Sequence, residues 1–258
     1  MSFVISARAE LIKTKRSASF WICVLGSGFI PLIFLLTYTL APEKNYPRLQ
    51  SFPWGIHLNQ GWQAFSHLLL PMFIILICSL IPQIEFKNNT WKQVFASPQS
   101  LGNIFFSKFF AFHLMILFLF LIFNLFLILS AVVANLIISK YVFLKTPLDW
   151  EALLTLNFHT YLAILGISAI QYWLSLRFKN FIASIGIGLA FLITSLIAAL
   201  SSWEYAYTLP YAYPILTIRN FSSKAAQSFP NHEIYSILYC LGFLLLAFLD
   251  MKYRKERG

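Results

Sequence analysis

Side chains able to do chemistry are few in this 258-residue sequence, and one stretch between two apolar runs, Glu85–Lys108, groups several of them; it reads EFKNNTWKQVFASPQSLGNIFFSK. It holds the carboxylate of Glu85, the ammonium groups of Lys87, Lys92 and Lys108, and the indole of Trp91. These types suit ion pairing, helix capping and docking, and none of them is spaced for bond breaking. His57 and His67 are ten residues apart and read as interfacial imidazoles. Asp149 and Glu151 read as solvated acids on an outer loop. Cys23, Cys78 and Cys240 fall in apolar runs without paired spacing, so they act as small apolar residues and imply neither a disulfide framework nor a metal site. None of the ten glycines is followed by Lys, which excludes a Walker-type phosphate-binding loop, and HExxH and GxSxG are absent. No Asp, Glu, Lys or Arg is expected inside an apolar span, where a charge costs about 2.5–3.5 kcal/mol. Proton-driven antiport and intramembrane hydrolysis therefore lack the residues they need.

The elements that carry these side chains follow from composition. With 59% hydrophobic and 11% charged residues, the chain lies outside the range of soluble domains and reads as an all-α polytopic membrane protein. A span needs roughly 20 apolar residues to cross about 30 Å of hydrocarbon. Six are expected, at 20–40, 64–81, 109–138, 160–176, 181–200 and 234–249, in a single transmembrane domain. The basic residues before the first apolar run resemble a signal peptide, but Pro42 follows the only small-residue site, Leu40-Ala41, and the run is long; a retained first span is expected. The net charge of +10 invites a nucleic-acid reading that its distribution opposes. With both termini on one side, that side holds 13 bases against six on the other. The positive-inside rule then makes both termini and the Glu85–Lys108 stretch cytoplasmic, and assigns the basic excess to topology and anionic lipid, with no nucleic-acid partner.

Local signals refine this. Asn88 or Asn89 can cap a helix of about two turns, on which Trp91, Val94 and Phe95 share one face. Ser97-Pro98 supplies a second start, Ser as N-cap and Pro at the first helical position, and the chain re-enters the membrane along Gln99–Phe112. Residues 3–17 suit a helix lying in the interface, apolar side in lipid and basic side toward headgroups, with a solvated basic tail as the alternative. Gly26 and Gly28 in the first span, and Ser184 and Gly188 in the fifth, allow close helix approach, either within the subunit or at a dimer seam. In the third span Asn124, near mid-depth, and Asn135 need polar partners, from another helix or from a water-filled path. Residues 41–63 form an outer loop. In 201–233 an aromatic-rich segment interrupted by Pro210 and Pro214 fits a short broken or re-entrant helical pair, its Tyr and Trp at the membrane–water boundary.

In order and spacing, Glu85, the Asn89-Thr90-Trp91-Lys92 run, the Ala96-Ser97-Pro98 break, Lys108 and the basic segment Ala7–Ser17 resemble the ABC transporter type-2 permeases, particularly the lantibiotic-immunity and bacitracin-export subunits. The resemblance implies six transmembrane helices with an N-terminal interfacial elbow helix and a cytoplasmic coupling helix between spans 2 and 3. That helix docks into a separate cytoplasmic ABC ATPase subunit. ATP and Mg belong to the ATPase, so this chain carries no cofactor and is not an enzyme. The ATPase-coupling residues are then Glu85, Asn89, Thr90, Trp91, Lys92, Phe95, Ser97 and Pro98; the plainer readings are an interfacial carboxylate for Glu85 and a membrane-interface anchor for Trp91. The first and fifth spans of the family line the subunit interface, which makes Gly26, Gly28, Ser184 and Gly188 candidates for contact with a second permease subunit, identical or not. The expected setting is the bacterial cytoplasmic (inner) membrane, with lipid as a further partner. The expected function is ATP-driven export of a peptide or hydrophobic small molecule by alternating access. The alternatives are force transmission to an extracytoplasmic maturation or assembly partner, and a stand-alone channel or scramblase.

Overall fold

The computed structural model describes residues 3–15, 17–88, 90–96, 98–201, 203–222 and 231–253. It is 89% helical, with no strand among the described residues, and six of its helices are long and apolar enough to cross a membrane. The protein is an all-α polytopic membrane protein. In chain order the helices are α1 (Phe3–Thr14), α2 (Ala18–Leu40), α3 (Pro42–Leu49), α4 (Pro53–Ala64), α5 (Leu70–Lys87), α6 (Trp91–Ala96), α7 (Leu101–Ile137), α8 (Trp150–Arg177), α9 (Phe181–Leu200), α10 (Tyr213–Ser222) and α11 (Asn231–Tyr253).

The ends of these helices are set by identifiable side chains. Asp149 accepts from the Ala152 amide to start α8, and Asn180 accepts from the Ile182 amide to start α9. α4 and α5 form one continuous rod because a π turn at Phe65–Leu69 joins them, with the Leu70 amide donating to the Phe65 carbonyl. Pro71 follows directly; the wider turn accommodates a residue that can donate no amide hydrogen. The expected outer loop at 41–63 is thereby replaced by α3 and α4, and the second span begins ten residues or so before its apolar run. Ser100, not Ser97, caps α7, its hydroxyl accepting from the Asn103 amide at 3.2 Å; Pro98 lies in the non-helical link before it, and Ser97 lies outside the described residues. At 37 residues, α7 is about 55 Å long, so it overshoots the hydrocarbon and carries Lys108 near one end.

Burial sorts the spans into centre and periphery. The most apolar windows of the α4–α5 rod and of α8 are 61% and 56% buried, against 17% for α2 and α11; the first two form the middle and the others face lipid. α8 packs on α11 and α5, α7 on α2 and α1, and α5 on α9. Mid-bundle, Trp62 is fully buried, and the Phe65 and Phe123 rings stack at 3.9 Å. The Trp62 indole donates to Asn124 Oδ1 at 3.2 Å, and Asn124 Nδ2 donates to Asn157 Oδ1 at 2.7 Å, tying the rod to α7 and α8. At the end away from α6, His57 is fully buried, contrary to its expected interfacial place. Its Nε2 donates to the Leu127 carbonyl and its Nδ1 accepts from Tyr38 Oη, both at 2.9 Å.

The segment after α9 divides in two. Trp203, Tyr205 and Tyr207 are exposed, as boundary aromatics should be, whereas Tyr211 and Tyr213 are buried in the bundle. Two 3₁₀ turns, Glu204–Thr208 and Pro210–Ala212, make that inward step before α10.

Candidate functional site

The polar side of α1 faces the protein. Ser6, Glu10 and Thr14 are buried, and Phe3, Val4, Ile5 and Ile12 are exposed; Ser6, Glu10, Lys13 and Thr14 recur at helical spacing and form a stripe along one side of the helix. The basic side expected toward headgroups therefore turns one of its lysines inward. Lys13 Nζ meets Glu10 Oε1 at 2.8 Å and Glu85 Oε1 at 2.9 Å. Lys108 Nζ, from α7, meets Glu85 Oε1 at 2.6 Å and Glu10 Oε2 at 2.8 Å. Two ammonium groups and two carboxylates thus alternate in a closed, charge-neutral node joining α1, the end of α5 and the beginning of α7.

Glu85 and Lys108 sit near the ends of long apolar helices, just outside the expected spans 64–81 and 109–138. The side chains of Lys108 and Glu85 are 1% and 2% exposed, and a buried charge persists only when paired and hydrogen-bonded. Mutual pairing is the physical reason they are tolerated. At Glu10, burial pushes the carboxyl pKa up, and the charges of Lys108 and Lys13 with their hydrogen bonds outweigh it, so the net shift is downward. At Lys13, burial pulls the pKa down, but hydrogen bonding and attraction from Glu10 and Glu85 leave it raised.

The node holds α6. Lys108 Nζ lies over the Trp91 ring at 5.4 Å from its centroid, a cation–π geometry, and the Phe86 and Trp91 rings are 5.2 Å apart. The Thr90 amide donates to the Glu85 carbonyl at 3.0 Å, and the Val94 amide donates to the Thr90 carbonyl, so Thr90 begins the short helix. Ser6 Oγ donates to Gln99 Oε1 at 2.9 Å, binding α1 to the link that follows α6. Farther in, Tyr172 Oη of α8 donates to the Phe105 carbonyl of α7 at 2.8 Å. Glu85, Thr90 and Trp91 are thus brought together. Pro98 is exposed in the link. Asn89 lies outside the described residues, and so do the side chains of Lys92 and Phe95. Sequence reasoning missed Glu10, Lys13 and Phe86; the polar stripe on α1 was the signal for the first two.

Among its described residues this assembly presents ion pairs and an aromatic contact. It joins a short helix rigidly to the ends of three longer ones. A family model described as ABC-2 family transporter protein matches residues 7–195, from α1 into α9, and so spans the whole node. The chain belongs to this family. No curated protein matches it. The permease is a multi-pass membrane protein and the membrane subunit of a transporter. Subunits of this family generally work with a cytoplasmic ATPase and are generally not catalytic themselves.

Asn124, Asn135 and Gln171 are engaged within the chain. Asn124 bridges Trp62 and Asn157, and Asn135 Oδ1 accepts from the Leu144 amide at 3.1 Å, bracing the turn after α7. Gln171, fully buried in α8, donates to Ser79 Oγ, Ser184 O and Ser184 Oγ at 3.1, 2.9 and 3.0 Å and accepts from Tyr211 Oη at 3.1 Å. That knot fills the small-residue face of α9. A Cβ on Gly188 would sit 2.5 Å from Gln171 Oε1, and one on Gly26 would sit 2.3 Å from the Phe73 ring. A Cβ on Gly28 would reach only ordinary contact with Phe126. The faces of Gly26, Ser184 and Gly188 proposed for a partner subunit are therefore occupied by the chain's own side chains, because close helix approach inside one subunit needs the same small residues as a seam between two.

Proposed function

We propose that the permease exports a peptide or hydrophobic small molecule by ATP-driven alternating access. It works with a separate ATPase subunit that binds ATP and Mg, and pairs with a second permease subunit. It sits in the bacterial cytoplasmic membrane with both termini in the cytoplasm, as the excess of basic residues on that side supports. The observation that carries this reading is that α6 is gripped at both flanks: Trp91 lies against Phe86 of α5 and under Lys108 of α7. Lys108 is itself bound to Glu85 and Glu10. A displacement of α6 by a closing ATPase would pass through Trp91 and Lys108 into α1, α5 and α7 together, and through the Tyr172–Phe105 bond into α8. ATP then shifts the population between inward- and outward-open bundles by binding one state of the ATPase dimer better than the other.

The test is transport by the permease reconstituted with its ATPase. Trp91→Ala removes the ring between α5 and α7 and leaves the ion pairs in place. The expected result is ATP hydrolysis that continues while transport per ATP falls about tenfold, the loss of roughly 1.4 kcal/mol of coupling. Transport per ATP equal to the unaltered protein's would overturn the assignment of Trp91 as the transmitting contact.

A further inference from the structure

At the end of the bundle opposite the ion-pair node, the first turns of α4, α8 and α11 and the face of α10 enclose a cavity of about 560 Å³. It lies within the roughly 300–1,000 Å³ typical of small-molecule sites. Phe52, Trp54, Leu58 and Phe221 give it apolar and aromatic walls, and its carboxylates and imidazole are those of Asp149, Glu233 and His159. The Glu233 side chain is 1% exposed, and both its carboxylate oxygens accept from His159 Nδ1, at 2.9 and 3.0 Å. One imidazole cannot neutralise two carboxylates, and among the described lining residues there is no Lys or Arg. The amino-terminal ends of α8 and α11 point here as well. Each carries roughly half a positive charge, less than the full negative charge of its own first-turn or capping carboxylate, Asp149 on α8 and Glu233 on α11.

We propose that this cavity binds an organic cation with an apolar body, its positive centre held between Asp149 and Glu233 and its body against Trp54 and Phe221. Aromatic faces and a carboxylate attract a cation together, and the apolar wall takes up what the cation carries. Binding here involves neither α6 nor an ATPase, so it stands apart from the coupling mechanism and is tested without it.

The experiment measures tritiated (1-naphthylmethyl)trimethylammonium on the full chain in phosphatidylcholine nanodiscs, with empty nanodiscs subtracted. The quaternary charge is fixed at every pH, so only the protein titrates. The neutral carbon isostere 1-neopentylnaphthalene and the anion 1-naphthylmethanesulfonate serve as controls. Saturable binding of the cation is expected, about tenfold or more tighter than either control, the effect of one contacted charge beside an aromatic ring. Asp149→Asn and Glu233→Gln should each weaken it about fivefold or more. Asn caps a helix as well as Asp does, so Asp149→Asn keeps the fold and decides the matter if Glu233→Gln fails to fold. No saturable binding, a control binding as tightly as the cation, or unchanged affinity in folded Asp149→Asn would each overturn the proposal.

Discussion

Lys108→Met probes whether the four-charge node is the structural link between α1, α5 and α7. Methionine fills much of the same volume and removes the ammonium, which leaves the carboxylates of Glu10 and Glu85 to share Lys13 alone. The Lys13 side chain is 36% exposed, so it screens the pair poorly and one carboxylate is left buried with no cation of its own. Breaking a buried pair in this way costs about 3–5 kcal/mol. No discount for solvent applies, because Lys108 and Glu85 are 1% and 2% exposed. Lys108→Met/Glu85→Gln removes one charge of each sign and leaves the Glu10–Lys13 pair, 2.8 Å apart, so it should recover at least half of the loss. That non-additivity, a coupling of about 1.5–3 kcal/mol, is the signature of a direct charge contact. The assay is steric-trap unfolding in bicelles of the unaltered protein, both single variants and the double variant. A Lys108→Met loss within about 0.5 kcal/mol of zero, or a double variant equal to the sum of the singles, would refute the reasoning.

The same node sets a pH response. Glu10 has its pKa lowered from 4.5, so its contribution is full above that value and is lost as pH falls through the lower folded pKa; Lys13 has its pKa raised from 10.5, so its contribution is full below that value and is lost as pH rises through the higher one. Unfolding should therefore be nearly independent of these two groups between the two values, and Glu10→Gln should flatten the acid limb measured by thermal melts. Gly188→Ala forces a methyl group into Gln171 Oε1, which accepts from Tyr211 while Gln171 Nε2 donates to Ser184, and should destabilise the permease by about 1–3 kcal/mol, whereas Gly28→Ala meets only ordinary contact and should fall within about 0.5 kcal/mol of neutral. Asn124→Leu breaks the bridge to Trp62 and Asn157 and should cost about 1–2 kcal/mol, since hydrogen bonds between membrane helices contribute roughly 0.6 each and up to 1.7; an unchanged unfolding midpoint would show that the bridge adds nothing.

The fold class was legible because lipid imposes a crude rule. A stretch of about 20 apolar residues must be a helix, since no water is present to satisfy its backbone, and six such stretches became six long helices. Glu85 and Trp91 were legible as a site because polar and interfacial residues stand out in such a chain. The starts of the second, third and fourth spans were not legible, whereas α9 begins at Phe181 as expected. α4 is amphipathic, with Trp54, His57 and Trp62 facing inward, and its hydropathy alone could not distinguish a loop from a buried helical extension. Ser97-Pro98 was the expected start of the third span, but α7 begins three residues later, where the hydroxyl of Ser100 accepts from the Asn103 amide.

Sequence alone determined composition, span count and the location of the polar stretch between the second and third spans, because each is set by residues near one another in the chain. Tertiary structure decided which polar groups meet. Glu10, Glu85 and Lys108 are up to 98 positions apart, and their buried charges are tolerable only as a group. Gly188 likewise reads as a contact either within the subunit or at a seam until Gln171 is placed against it, for a small residue records that something comes close, and the packed helices determine what.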